Sequence, residues 1–192
     1  IYISSDPEWD VNDPLLGTVE VDGPVNSGES YSQSLTASLP GVTPGEYYVI
    51  VRSDIRNAVI ETDEVNNIDA SDETFPVDTN ILPLGELVSG NIAARQSIYY
   101  RIDVEAGETL NLNFDSESDF TGDEIYLSYG EVPSRSAADF SSDDGEITVA
   151  NTRGGTYYVL VYKDAISFSG ENETDFNIEA EILDFSISDL ST

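Results

Sequence analysis

The sequence contains no cysteine and no histidine, and these two absences exclude several classes of chemistry. Without them the chain cannot form disulfides, thiolate zinc sites, Ser-His-Asp or Cys-His catalytic groups, or Cys- or His-ligated haem. Basic residues are also scarce, because 7 Lys and Arg stand against 38 Asp and Glu and give a formal net charge of -31. Such a charge repels phosphate backbones and anionic lipid, so we expect no nucleic-acid partner.

The sequence also lacks targeting and membrane segments. No apolar run approaches the ~20 residues that span a bilayer, so we expect no membrane insertion. There is no signal peptide and no initiating Met, and the lysine-poor composition is typical of bacterial extracellular modules. We therefore expect a segment of a longer secreted protein, extracellular or at the surface of a bacterial or archaeal cell.

Apolar residues are present in quantity, and they recur in a pattern. Residues 45–54 (GEYYVIVRSD) and 155–164 (GTYYVLVYKD) each begin at a turn glycine and run through two tyrosines into β-branched and aliphatic residues. This pattern is typical of a buried strand. Because the copies lie about a hundred residues apart, the size of one β-sandwich, they predict an all-β chain of two tandem antiparallel β-sandwich modules, immunoglobulin-like or jelly-roll-like.

Alternating apolar and polar residues predict short strands separated by Gly, Pro and Asn turns, and no helix of useful length. In the first module the predicted strands are 2–4, 18–21, 31–39, 47–52 and 58–60; in the second they are 98–104, 110–114, 125–129, 147–149, 157–162 and 176–182. Residues 69–83 are predicted to be a connector. The domains are therefore 1–78, a sandwich with fewer than the expected about seven strands, then 79–183, and a tail at 184–192.

The first module resembles CARDB, a bacterial module related to cell adhesion. The resemblance rests on residues 1–6 (IYISSD), 45–51 (GEYYVIV) and the distinctive ending 61–67 (ETDEVNN). The family's opening strands are missing from the sequence. The resemblance implies a β-sandwich scaffold in an exported protein of several modules.

The second module resembles the bacterial pre-peptidase C-terminal (PPC) domain. The matching residues include 99–104 (YYRIDV), 122–128 (GDEIYLS) and 154–161 (GGTYYVLV). The tail, DFSISDL at 184–190, resembles the start of a further CARDB module, and an unpaired strand there would also suit strand donation to another copy. Both families imply roles in adhesion, spacing or substrate contact, and neither implies catalysis.

The acidic residues raise the question of metal binding, since calcium takes about six to eight oxygen ligands. A charge this large predicts bound Ca2+ or a salty medium, and a solvated surface adapted to salt is the alternative. The candidate ligands are Asp6, Asp10, Asn12, Asp13, Glu61, Glu64, Asp115, Asp119, Asp123, Asp143 and Asp144. The clusters near Asp10 and Glu61 can equally be read as turn formers, whereas the last five would form one site if their two loops meet.

These observations predict a non-enzymatic extracellular module, stabilised by calcium, that is the repeating unit of a surface filament or giant adhesin. Its partners would be neighbouring copies or modules, bound by strand or end-to-end contact, and a surface glycan or matrix. The alternative is a carbohydrate- or matrix-binding accessory module of a secreted hydrolase. Exposed rings of the double tyrosines, Tyr48 or Tyr158, would suit sugar stacking in that case.

Overall fold

The computed structural model describes residues 1–21, 25, 28–63, 65–116, 123–164 and 173–184, excluding the side chain of residue 123. These residues form thirteen β-strands and no helix, so the predicted all-β class is confirmed. No helix of the described ranges is long and apolar enough to cross a membrane. The chain divides into two compact units, Ile1–Asp78 and Thr79–Thr192.

The first unit contains one antiparallel sheet built around a single long strand. Its strands are β1 (Tyr2–Ser4), β2 (Gly45–Arg52), β3 (Ile68–Ala70) and β4 (Phe75–Val77), and β2 pairs with each of the other three. Residues 14–16 run along β1, where the Ile3 amide donates to the Pro14 carbonyl at 3.1 Å and the Leu16 amide to the Ile1 carbonyl at 2.9 Å. The sheet is therefore narrow.

The second unit is a two-layered sandwich. A five-stranded sheet has the order β10-β9-β12-β7-β5, and a four-stranded sheet has the order β11-β8-β13-β6. The strands are β5 (Asn80–Ile81), β6 (Val88–Ala93), β7 (Ser97–Val104), β8 (Leu110–Ser116), β9 (Asp123–Tyr129), β10 (Phe140–Ser142), β11 (Glu146–Val149), β12 (Gly155–Lys163) and β13 (Glu173–Ile182). All neighbouring pairs are antiparallel except β5 and β7.

The two units differ sharply in how much apolar surface they bury. Among the described residues, 21 hydrophobic residues of the second unit are buried, and inward-facing side chains of both sheets form one continuous core. The first unit buries three, which are Ile3, Ile50 and Val77. Because burial of apolar area is the main contribution that offsets chain entropy, the described core of the second unit contributes more to folding than that of the first.

The first tyrosine of each repeat makes a hydrogen bond to the backbone near the start of its strand. The Tyr47 hydroxyl donates to the carbonyl of Thr43 at 2.6 Å. In the second unit, the Arg153 amide donates to the Tyr157 hydroxyl oxygen at 2.9 Å. Each tyrosine thus ties the start of its strand to the backbone four residues upstream, although the direction of donation is reversed.

Several of the strand predictions are confirmed. Strands are observed at 2–4 and 47–52 in the first unit, and at all six predicted places in the second. The alternation of apolar residues succeeded there because each strand has a partner and a buried face.

Other strand predictions are wrong. Residues 18–21, 31–39 and 58–60 form no strand, because their backbone groups have no ladder partner in the described parts of the chain. The connector predicted at 69–83 instead contains most of β3 and all of β4 and β5. These strands are very short, and β4 includes Pro76, which a strand tolerates where no ladder donor is needed. Strands β6 and β10 were not predicted.

Candidate functional site

An open groove of about 850 Å3 lies in the first unit, where β1 begins and β2 ends. Its walls come from the first two residues of the chain, the end of β2, the loop at 53–59, and residues 18–21 with Tyr31 and Gln33. The groove therefore brings together segments that are far apart in the sequence.

The groove is lined by apolar side chains that are open to solvent. Ile55, Val59 and Tyr31 are 52%, 60% and 54% exposed, and Leu15 and Val51 are exposed to a similar degree. Within the described ranges, the first unit exposes twelve large hydrophobic residues and the second unit four. A concentration of this kind on one unit is typical of a surface that binds another molecule.

Two arginines add positive charge to this apolar groove. The Arg52 guanidinium stacks on the Trp9 ring with 3.5 Å between its carbon and the ring centroid, and the ring of Tyr2 lies 5.9 Å away. The Arg52 Nε is buried and has no hydrogen-bond partner among the described residues. Arg56 is exposed and makes no ion pair with any residue that the structure describes. The groove thus offers uncompensated cations in a strongly acidic chain.

The loop that carries Arg56 is held by its own aspartate. The two carboxylate oxygens of Asp54 accept hydrogen bonds from the amides of Ala58 and Val59, both at 2.8 Å. Asp54 and Asn57 have φ values of 39° and 51°, the left-handed region that these two residue types tolerate. The loop therefore presents Ile55 and Arg56 in a fixed arrangement, and the Asp54 charge is already engaged with backbone amides.

The predicted calcium ligands near Trp9 are occupied with turn formation. Oδ1 of Asp6 accepts from the Glu8 amide at 2.9 Å, and Oδ1 of Asp10 accepts from the Asn12 amide at 2.6 Å. Oδ2 of Asp13 accepts from the Asp10 amide at 2.8 Å. These contacts support the turn interpretation that the sequence left open.

The cluster near residue 61 is also tied together by hydrogen bonds. Glu61 accepts from the side-chain amide of Asn67 at 2.8 Å, and Asn67 in turn accepts from the Ser53 hydroxyl at 3.0 Å. Glu64 lies outside the described residues. The described residues of this cluster therefore link the loop at residue 61 to Ser53, just after the end of β2.

The described parts of the two acidic segments, Asp115 and residues 143–145, lie at the same end of the second unit. Residues 143–145 connect β10, which pairs with β9, to β11, which pairs with β8. Asp115 and Asp143 are exposed there, whereas Asp119 and the side chain of Asp123 lie outside the described residues. Asp144 accepts from the Ser142 hydroxyl, and this bond together with the Glu146 amide holds the pKa of Asp144 below its ordinary value.

Within the described parts of the chain, no group of three or more carboxylates converges as a metal site requires. Calcium binding by the second-unit loops remains a prediction that involves Asp119 and Asp123 as well.

The tyrosines considered for sugar stacking are largely covered. Tyr158 is 9% exposed on the outer face of its sheet, and Tyr48 is half-buried. On the same outer face, Arg135 lies over the Tyr162 ring at 3.9 Å and forms a two-pronged ion pair with Glu124 at 2.8 Å. These aromatic rings therefore pack and do not form an open platform.

Comparisons with known proteins agree with the two-module organisation. The CARDB family model matches residues 4–71, and the model of the bacterial pre-peptidase C-terminal domain matches residues 96–163. Both resemblances seen in the sequence, and their order, are confirmed. The chain therefore contains a segment similar to CARDB followed by a segment similar to the PPC domain. The further CARDB module predicted to start in the tail lies outside the described residues from 185 onward.

Solved structures resemble the chain only distantly. A periplasmic inhibitor of g-type lysozyme from Aeromonas hydrophila is 18% identical with a TM-score of 0.44, over 55% of this chain and 97% of that chain. The pre-peptidase C-terminal domain of a Bacillus anthracis collagenase is 16% identical with a TM-score of 0.40, over 55% and 97%. Likenesses of this degree carry no argument about function. The search of curated proteins gave no match.

The two family matches describe non-catalytic modules and fit an extracellular or envelope location. Sequence reasoning predicted that class but missed the groove and its residues Arg52, Ile55, Arg56 and Val59. A signal was available, because two of the seven basic residues of the chain lie four positions apart in residues 52–56.

Proposed function

We propose that this chain is a non-enzymatic extracellular structural module that joins neighbouring copies into a surface filament or adhesive array. In this function the second unit is a rigid spacer, and the first unit is the part that contacts a neighbour. The narrow first sheet would be completed by that neighbour. Carbohydrate binding is not favoured, because the tyrosines that would stack on sugar are covered.

The observation that carries this proposal is the distribution of apolar surface between the two units. The first unit exposes twelve large hydrophobic residues and buries three hydrophobic residues, among those described. When another surface covers this apolar area, the free energy falls by roughly 25 cal/mol for each Å2 of apolar surface that is buried. Repulsion between chains of net charge -31 opposes association, and salt at 0.1 M screens this repulsion between charges more than about 10 Å apart.

The test is assembly of the purified full chain as a function of concentration and salt. We expect sedimentation velocity to show a shift from monomer to larger species as protein and NaCl concentrations rise, and electron microscopy to show end-to-end polymers. A chain with Val59→Asp should assemble less, because the substitution places a charge in the apolar groove. Leu87→Asp, at an equally exposed apolar position of the second unit, is the matched control.

Two results would contradict the proposal. One is a chain that stays monomeric at every concentration and salt tested. The other is equal loss of assembly with Val59→Asp and Leu87→Asp, which would show that the groove has no special part in association.

A further inference from the structure

Residues 18–21 line the groove and pair with no other described segment. The sequence predicts a strand here, yet the backbone N–H and C=O groups of these residues form no hydrogen bond with any described residue. The same is true of residues 31–39, of which Tyr31 and Gln33 also line the groove. Backbone groups of this kind are the template for strand addition by another chain.

We propose that the groove binds residues 184–190 (DFSISDL) of a second copy as an added strand. This inference rests on the proposed function, and it names the partner segment and the residues that select it. The added strand would pair along residues 18–21, and its apolar side chains would cover Leu15, Ile55 and Val59. The polar groups that residues 18–21 leave unpaired would then be satisfied.

The pattern of the segment matches the lining of the groove. Because side chains alternate along a strand, an added strand of this sequence would place Phe185, Ile187 and Asp189 on one face and Ser186 and Ser188 on the other. Phe185 and Ile187 suit the apolar part of the groove. Asp189 then follows on the same face and supplies a carboxylate for an arginine.

Charge complementarity favours this segment over an uncharged strand. Arg56 has no carboxylate partner among the described residues, which also offer no acceptor to the buried Arg52 Nε. The groove is also lined by Glu20 and by Asp54, but the Asp54 carboxylate is bonded to two amides. An acid that arrives with the added strand would therefore meet a local positive field within a negative molecule.

The experiment is a charge swap in the full chain, with association measured by sedimentation velocity. Arg56→Asp and Asp189→Arg should each weaken association at least about tenfold, since each places like charges together. The double variant Arg56→Asp/Asp189→Arg should recover most of the loss. Asp184→Arg makes the same charge change on the opposite face of the segment and should leave association unchanged or slightly stronger.

A second measurement separates this inference from the proposed function. The full chain with Asp189→Arg is titrated with a labelled peptide of residues 184–192, and fluorescence anisotropy reports binding. Saturable binding, lost when Arg56→Asp is added, supports the groove as the docking site even if the chain forms no polymer. Polymers that form while the peptide fails to bind would overturn the inference and leave the proposed function standing. Equal effects of Asp184→Arg and Asp189→Arg would also overturn it.

Discussion

At the scale of single residues, Tyr47 and Tyr157 show how one sequence motif is used with two hydrogen-bond polarities. Tyr47 donates to a carbonyl and Tyr157 accepts from an amide, each four residues upstream. Burial raises the pKa of Tyr47 above its ordinary value, which favours the protonated hydroxyl that donates this bond. The first tyrosine of each pair therefore fixes the backbone at the start of its central strand.

We predict that Tyr157→Phe lowers the free energy of unfolding by about 0.5–1.5 kcal/mol, because the Arg153 amide loses its acceptor. Tyr158→Phe is the matched control, since its ring is also nearly covered and its hydroxyl makes no hydrogen bond to a described residue. Urea titration of both variants measures the difference. Equal losses would show that the Tyr157 hydrogen bond adds nothing beyond packing.

At the scale of elements, the contact between β8 and β11 depends on a glycine. Gly145 has a φ of 81°, and a Cβ at this position would lie 2.1 Å from the carbonyl oxygen of Phe114. The Phe114 amide donates to the Gly145 carbonyl at 2.8 Å, so the two backbones are in direct contact. This close approach fixes the edge of the four-stranded sheet.

We predict that Gly145→Ala destabilises the second unit by about 2–5 kcal/mol, through left-handed strain and displacement of β8. Gly130→Ala separates the two causes, because Gly130 has a φ of 78° and open space around it. We expect Gly130→Ala to lower the free energy of unfolding by about 1–2 kcal/mol, from left-handed strain alone. Thermal and urea unfolding check both values, and similar losses for the two variants would contradict the steric part of the argument.

The strands also show which parts of the structure could be predicted from the sequence. Six of the nine strands of the second unit were predictable because alternation there coincides with a buried face and at least one paired neighbour. Residues 31–39 alternate just as clearly but form no strand, since alternation records a preference and cannot supply the partner. The groove was not predictable for a related reason: Arg52, Arg56 and Val59 meet residues 18–21 and Tyr31 only in three dimensions.

At the scale of the whole molecule, the strongest electrostatic effect is mutual repulsion among 38 acidic residues, with 7 basic residues to oppose it. Repulsion of this kind destabilises the compact state and weakens as salt rises. Several of the described carboxylates accept hydrogen bonds within turns and loops, and no three described carboxylates lie together as a metal site would require. General screening and a specific ion are therefore distinct ways of stabilising this chain.

We predict that salt screening and bound calcium both stabilise the chain, and that measurements of the melting temperature, Tm, distinguish the two effects. NaCl should raise Tm gradually. Calcium at matched ionic strength should raise Tm by about 5 °C or more, and a chelator should reverse that increment. The increment should be lost in Asp143→Asn/Asp144→Asn and kept in Glu86→Gln/Glu131→Gln. If calcium and sodium act alike at equal ionic strength, screening alone stabilises the chain.

The open backbone at residues 31–39 has a consequence for the life of an isolated copy. A protease cleaves exposed segments whose backbone is not held in secondary structure, and here eight of nine residues are exposed. A copy that has joined its neighbours would shield its first unit, while a stray copy would be trimmed back to the durable second unit. Degradation outside the cell would in this way remove unassembled material and spare the finished array.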